Sequence, residues 1–266
     1  MITRRAAVLG KPVAHSRSPV LHNAGYVAAG LGGWQYGKIE CDEHELADFV
    51  GRLGPEWAGL SLTMPLKEVA LVVADAVDPA AAALGAANTL VRDEHGWHAY
   101  NTDAPGMVRA LVEVGVVRAE EFAVLGGGGT ARAAIGAAAE MGARVTAYTR
   151  RPEAADELRP VAEALGVEFA GAPWSAVERC VRADVVVSTV PKGVADELVA
   201  APWRPEVVVF DVVYDPWPTA ITSAAQAAGC PIVSGLDMLL WQATRQFELF
   251  TGVDAPVAAM RAALIS

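Results

Sequence analysis

The chain has 266 residues, 53% of them hydrophobic, and a mean hydropathy of +0.30, enough apolar material for one large core or two medium ones. Its formal net charge of -10 and isoelectric point near 5.0 argue against nucleic acid as a partner, which needs a concentrated basic face. No run of about 18 uninterrupted apolar residues marks a membrane span, and Cys41, Cys180 and Cys230 are scattered with no Cys-x-x-Cys, so a cytoplasmic protein without disulfides is expected.

Residues 6–9 read as a first strand. Ser18 and Pro19 then look like an N-cap and first-turn proline for a helix reaching Gly30. A strand over residues 35–40 follows, and Asp42 with Glu45 forms an acidic variant of the capping box before a helix to Leu53. Residues 58–62 make a third strand that runs into Thr63-Met64-Pro65. With Pro65 as first helical residue, Lys67 falls in a first turn, where the helix dipole opposes a cation and would lower its pKa. Residues 88–92 and 97–101 alternate as a hairpin around Asp93-Glu94-His95-Gly96, and a helix starts at Asp103.

The apolar run 122–125 leads into Gly126-Gly127-Gly128-Gly129-Thr130-Ala131, a Gly-x-Gly-x-x-Ala loop that opens an alanine-rich helix. Gly126 gives the tight turn, Gly128 lets backbone N–H groups approach a pyrophosphate, and Ala131 permits close helix packing. The next strand, 144–148, ends in Thr149-Arg150-Arg151, where an NAD site usually carries an acid for the ribose hydroxyls. Guanidiniums suit a 2′-phosphate, so NADP is the expected cofactor, with Arg132 flanking its adenosine end. Strands near Val167, Asp184, Val207 and Ile232 alternate with helices opened by Pro152 and Pro218, the pattern of a doubly wound parallel sheet. Two helical stretches, 236–250 and 255–264, have no strand to pair with. The expected organisation is therefore α/β throughout: a substrate-binding domain over residues 1–103, a Rossmann-type domain over 104–234, and C-terminal helices over 235–266 that return to the first domain and close a cleft.

Outside the glycine loop, short polar groups gather at strand ends and turns. His15-Ser16-Arg17-Ser18-Pro19 places two hydroxyls beside a helix start, where Ser18 caps and Ser16 is surplus to that need, a modest carboxylate-binding feature. Ser61, Thr63, Asn88, Asn101, Thr102 and Asp103 surround Lys67 in the same reading and suit a polyhydroxylated small molecule. The five histidines make no His-Glu-x-x-His or comparable cluster with the cysteines, so no metal is expected.

Several of these stretches, in this order and spacing, resemble the shikimate dehydrogenase family: residues 10–19 followed by His22-Asn23, then Leu62-Thr63-Met64-Pro65-Leu66-Lys67, Gly85-Ala86-Ala87-Asn88-Thr89, Asn101-Thr102-Asp103-Ala104-Pro105-Gly106, the glycine loop, residues 211–216 with Thr219, and Gly235-Leu236-Asp237-Met238-Leu239 with Gln242. The resemblance covers nearly the whole chain. It implies reversible hydride transfer between NADPH and 3-dehydroshikimate to give shikimate. Ser16 and Ser18 would then hold the substrate carboxylate, and Ser61, Thr63, Asn88, Asp103 and Gln242 would address the ring beside Lys67, with Tyr214 lining the substrate side. It further implies Ser188, Thr189, Val190, Gly235 and Met238 near the nicotinamide, and a monomer or homodimer. Lys67 and Asp103 form the expected catalytic pair, with the proton-transfer role not divided between them. A quinate/shikimate or aminoshikimate dehydrogenase using NAD(P), or a dinucleotide sensor without activity, are the other readings. Family members usually have Asn where this chain has Ser61, Asn-Arg-Thr where it has Thr149-Arg150-Arg151, and Asn-Ala-Thr-Pro-x-Gly where it has Ser188-Thr189-Val190-Pro191-Lys192-Gly193.

Overall fold

The computed structural model describes residues 2–265. Strand β1 (Arg4–Gly10) buries Ala7 and Leu9 in one core and Ala6 and Val8 in another, because successive side chains on a strand face opposite ways. It lies between β2 (Trp34–Glu40) and β3 (Trp57–Leu62), parallel to both. The hairpin of β5 (Thr89–Asp93) and β6 (Gly96–Tyr100) joins antiparallel to β3, and a two-residue edge strand, β4 (Ala76–Val77), which the sequence pattern does not announce, completes the order β2-β1-β3-β5-β6-β4. One face of this sheet packs Leu46, Val50, Leu66, Ala70 and Ala81. The other packs Leu21 and Tyr26 of α1 (Ser18–Ala28), Leu240, Ala243 and Phe247 of α9 (Gly235–Thr251), and Met260 of α10 (Val257–Ile265).

Local chemistry explains most boundaries and corrects some. Glu45 accepts the backbone N–H of Asp42 and Asp42 accepts that of His44, the reciprocal bonds of a capping box, before α2 (Leu46–Gly51). Ser18 is not an N-cap: α1 begins at Ser18 itself, Arg17 holds the cap position without a side-chain cap, and Ser16 Oγ accepts the Ser18 N–H at 3.4 Å. Residues 64–69 form successive turns and the helix that follows, α3 (Ala70–Val73), has four residues. Lys67 is therefore not in the first turn of a helix, and no helix dipole from such a turn acts on it.

The second sheet has the order β12-β11-β10-β7-β8-β9, all parallel, built from β7 (Glu121–Leu125), β8 (Arg144–Thr149), β9 (Phe169–Pro173), β10 (Val185–Ser188), β11 (Val208–Asp211) and β12 (Ile232–Ser234). Numbered along the chain from β7, that is the 3-2-1-4-5-6 arrangement of the doubly wound dinucleotide fold, whose strand order reverses between β7 and β10. The central strands are buried on both faces, which is why 122–125, 185–187 and 208–210 read as unbroken apolar runs. α6 (Gly129–Met141) and α7 (Pro152–Ala164) follow β7 and β8. α8 (Ala220–Ala227) is capped by Thr219, whose Oγ1 accepts the Thr222 N–H, so Pro218 stands outside the helix it was expected to open. The chain divides into two compact units, Met1–Gly106 with Leu239–Ser266, and Met107–Met238. Among the described residues no helix is long and apolar enough to cross a membrane, and no group of three His, Cys, Asp or Glu side chains gathers to hold a metal.

Candidate active site

The first unit brings Lys67 and Asp103 together. The turn carrying Lys67 is pinned by backbone bonds from Leu66 N–H to Thr63 O and from Ala87 N–H to Lys67 O. Asp103 is the first residue of α5 (Asp103–Glu113), where Asn101 Oδ1 accepts the N–H groups of Asp103 and Ala104 and fixes the helix start. Lys67 Nζ lies 2.6 Å from Asp103 Oδ2, with side chains only 17% and 8% exposed. Asn88 Nδ2 donates to Asp103 Oδ1 at 2.8 Å and to Gln242 Oε1 at 3.4 Å, while Asn88 Oδ1 accepts the Thr102 N–H at 2.8 Å. Both carboxylate oxygens are thus occupied by donors, and Lys67, with three donors and one used on Asp103, keeps two. Removing one member of such a buried pair costs about 3–5 kcal/mol, because the other charge is left uncompensated.

The remaining substrate-side residues fall into three groups. Asn88 and Gln242 join the Lys67–Asp103 cluster directly. Ser16, half-buried, and Ser18, buried, lie at the start of α1, and half-buried Thr63 just beyond β3; the Thr63 N–H is held by the Leu9 carbonyl. Gly10 has to be glycine, because a Cβ there would sit 2.3 Å from Thr63 Cγ2. Ser61 is committed elsewhere: it is buried, accepts the Tyr36 hydroxyl at 2.6 Å and donates to Gln246 Oε1 at 2.7 Å. Gln246, which the sequence reading passed over, is itself 1% exposed.

In the second unit a cavity of about 570 Å³ is lined by Gly126, Gly127, Gly128, Tyr148, Thr149, Arg150, Arg151, Ala154, Trp174, Thr189, Val190 and Pro191. The loop glycines differ in what they keep clear. Gly126 has φ +113 and a Cβ there would stand 2.5 Å from Thr189 Oγ1; one at Gly127 would stand 2.8 Å from the Ala154 methyl. A Cβ at Gly128 meets no protein atom within 4 Å, so what it leaves open is the space before the N-terminus of α6, which has no side-chain cap. Free N–H groups and the positive end of a 13-residue helix fit the pyrophosphate of a dinucleotide. Arg150 and Arg151, both exposed, stand at the end of β8, and Ala131 is fully buried as close helix packing requires.

Gly129 and Thr130 open α6, and neither they nor Arg132 line this cavity. Ser188 does not line it either: it is 2% exposed and lies beside Asp211. Burial pushes the Asp211 carboxyl up, and donors from Thr219, Val213 N–H and Ser188 oppose the shift. Trp174 and Ala154 are lining residues that motif reading missed. The first residue after β9 carries no motif, although an aromatic just past a strand end of a dinucleotide fold is a usable signal. Gly235 approaches Val212 so closely that a Cβ would lie 2.1 Å from its carbonyl oxygen and 3.2 Å from the Tyr214 ring. Tyr214 is half-buried, and Met238 is 7% exposed.

Comparison with known proteins agrees with this division. Residues 8–90 match the family model of the shikimate dehydrogenase substrate binding domain, 235–265 that of the shikimate 5'-dehydrogenase C-terminal domain, and 94–215 that of the alanine dehydrogenase/PNT C-terminal domain. The shikimate dehydrogenase (NADP(+)) of Desulfitobacterium hafniense is 35% identical over 99% of this chain and 98% of its own. The crystal structure of Mycobacterium tuberculosis shikimate dehydrogenase superposes with a TM-score of 0.91 at 44% identity, covering 98% of this chain and 99% of that one. Quinate dehydrogenase from Corynebacterium glutamicum in complex with NAD has the same fold at 28% identity, with a TM-score of 0.87 over 100% of this chain and 99% of that one. Full-length identity to named relatives, together with the three family models in sequence order, establishes that the chain belongs to the shikimate dehydrogenase family.

Proposed function

We propose that this protein is an NADP-dependent shikimate dehydrogenase that reversibly reduces 3-dehydroshikimate to shikimate, acting in the cytoplasm as a monomer or homodimer. The observation that carries the reading is the Lys67–Asp103 pair at 2.6 Å, held from behind by Asn88. NADPH supplies a hydride, and a carbonyl that accepts one becomes an alkoxide in need of a proton. Lys67 gives that proton from an ammonium whose remaining donors are aimed by Asp103, and takes it back in the oxidative direction. Asp103, with both oxygens engaged, orients Lys67 and balances its charge rather than donating. Asn88 and Gln242 address ring hydroxyls beside this pair, Thr63 flanks them, and Tyr214 lines the substrate side. Ser16 and Ser18 hold the carboxylate, and Ser61 acts from within through its bond to Gln246.

The open space before α6 receives the pyrophosphate through Gly127, Gly128, Gly129 and Thr130. Arg150 and Arg151 read the 2′-phosphate, with Thr149 and Arg132 at the adenosine end. Thr189, Val190, Gly235 and Met238 stand near the nicotinamide, with Ser188 behind them. An assay crossing shikimate and quinate with NADP⁺ and NAD⁺ tests the assignment. The highest kcat/KM is expected for shikimate with NADP⁺; a quinate value equal to or above that of shikimate overturns the substrate, and a preference for NAD⁺ overturns the cofactor.

A further inference from the structure

Behind Asp103 the donors of a buried polar chain all point the same way. The Tyr36 hydroxyl donates to Ser61 Oγ and Ser61 Oγ to Gln246 Oε1. From the other end of that amide, Gln246 Nε2 donates to Thr89 Oγ1 at 2.9 Å and to the Asn88 carbonyl at 3.2 Å. Thr89 Oγ1 donates to Asn88 Oδ1 at 2.9 Å, and Asn88 Nδ2 donates to Asp103 Oδ1. A chain with a phenol at one end and a carboxylate at the other has its direction fixed. The carboxylate only accepts, which sets each amide in turn, and the Tyr36 phenol, kept protonated by burial, supplies the last O–H. Turning the Asn88 amide over would set its oxygen against the Asp103 carboxylate and its N–H against the Thr102 N–H, and turning that of Gln246 would set its oxygen against the Asn88 carbonyl.

Helix packing places Gln246 in the middle of this chain. Gln242, Gln246 and Phe250 succeed one another at intervals of four along one stripe of α9. On the sheet, Gly59 has no room for a side chain because its Cβ would lie 2.1 Å from the Phe250 ring, and Ser61, two residues on and facing the same way, meets Gln246. Ser61 also stands directly across from Thr89 in the β3–β5 register. The short side chain of Ser61 leaves the space that the Gln246 amide fills.

We propose that Gln246 is a positioning residue for the catalytic pair: it locks the amide of Asn88 through Thr89 and so fixes Asp103 against Lys67. The proposal rests on the reading of Lys67 and Asp103 given above. Gln246 touches neither of them, so its removal alters turnover by misaligning the pair while leaving the cofactor site untouched.

The test compares the wild-type chain with Gln246→Leu, Gln246→Ala and Ser61→Asn combined with Gln246→Ala, using shikimate and NADP⁺. Gln246→Leu is expected to lower kcat about ten- to hundredfold, since small misplacements of catalytic groups cost that much, with little change in KM for shikimate and none in NADPH affinity. Wild-type kcat in this variant overturns the proposal. If leucine disturbs the packing, seen as lost NADPH binding, the paired variants decide: Gln246→Ala loses turnover, and adding Ser61→Asn recovers most of it by reaching Thr89 directly. Absence of recovery overturns the proposal. A wild-type chain inactive on shikimate overturns the assigned reaction and this inference together, whereas an active wild type matched by its variants overturns the inference alone.

Discussion

Around Lys67 the protein builds with buried side chains, each hydrogen-bonded to the next: Asp103 at 5%, Asn88 at 2% and Gln246 at 1% exposure. Around Gly128 it builds with backbone and empty space, and the charged groups it adds, Arg150 and Arg151, stand exposed at a strand end. The first arrangement has one geometry, because buried polar groups left unpaired are costly. The second tolerates change in its side chains and little in its glycines. The contrast matches what each site is proposed to do. Proton transfer needs atoms held to fractions of an ångström, whereas a dinucleotide is long enough to be gripped at separate points.

Changing Lys67 should break the first arrangement most severely. Lys67→Ala is expected to lower turnover by about 10²- to 10⁴-fold, the range for loss of a general acid–base group, with NADPH affinity unchanged. It should also lower the melting temperature, because Asp103 loses its counter-charge. Lys67→Gln keeps a donor toward Asp103 and should recover stability without recovering turnover. Steady-state kinetics beside thermal unfolding of both variants makes the separation, and near-normal turnover in either removes Lys67 from the mechanism.

The same region should show an acid weakness that the second lacks. His22 is fully buried beneath Tyr36, stacked at 4.1 Å, among Tyr26, Phe247 and Phe250, with Gln246 alongside. Burial pulls its imidazole from 6.5 down to about 3. In the unfolded chain it takes up a proton near its ordinary value, so between these limits the unfolded state binds more protons. The stability from keeping His22 neutral is then complete above pH 6.5 and is lost as the pH falls toward about 3. The loss is about 1.4 kcal/mol per pH unit. His22→Phe removes the group: in urea unfolding at neutral pH and near pH 5, the wild type should lose roughly 2 kcal/mol more than the variant. Parallel losses would show that His22 takes up its proton as readily in the fold as in the unfolded chain.

Arg150→Ala sharpens the comparison from the other side. An exposed guanidinium at the end of β8 can be removed without unfolding anything, yet NADP⁺ should weaken by roughly ten- to hundredfold, the worth of a charge-assisted hydrogen bond of about 1.5–3 kcal/mol. NAD⁺, with no 2′-phosphate, should be nearly unaffected. Equal weakening of both, by direct titration, would make Arg150 a support for the loop.

What could be read ahead of the structure follows the same division. Periods of two and unbroken apolar runs reveal strands, and the glycine loop reveals its turn, because these are properties of neighbouring residues. Five strands of the second sheet fall where the apolar runs place them, whereas β9, largely exposed, begins two residues beyond Val167. Contacts between distant segments are less legible. Lys67 and Asp103 are 36 residues apart and were paired through spaced motifs, while the helix assigned to Lys67 proved to be a run of turns because Pro65 starts a tight turn as readily as a helix. Ser188, 2% exposed, lies beside Asp211 and outside the lining of the glycine-loop cavity, a choice between two faces of a strand that is buried on both. Gln246 looked like another polar residue on an amphipathic helix. Its spacing of four from Gln242 and from Phe250 was the available signal, and its partner Ser61 lies 185 residues away.

The smallest effect should come from within the glycine loop, where two glycines with one residue between them differ in kind. Gly128→Ala adds a methyl that meets no protein atom within 4 Å, at φ -91, which alanine adopts freely. Reduced freedom in the unfolded chain favours the variant by about 0.4–1 kcal/mol, while alanine is a poorer N-cap than glycine. The two nearly cancel, so the melting temperature should stay close to that of the wild type. The methyl does project into the space before α6, and NADP⁺ and NAD⁺ should weaken in equal proportion, since both carry the pyrophosphate. Gly126→Ala is the control: its φ of +113 and the approach to Thr189 should cost about 1–2 kcal/mol of stability in backbone strain alone. Calorimetric melting with titration of both cofactors separates the two positions. If Gly128→Ala binds both cofactors as the wild type does, the space before α6 is not where the pyrophosphate sits.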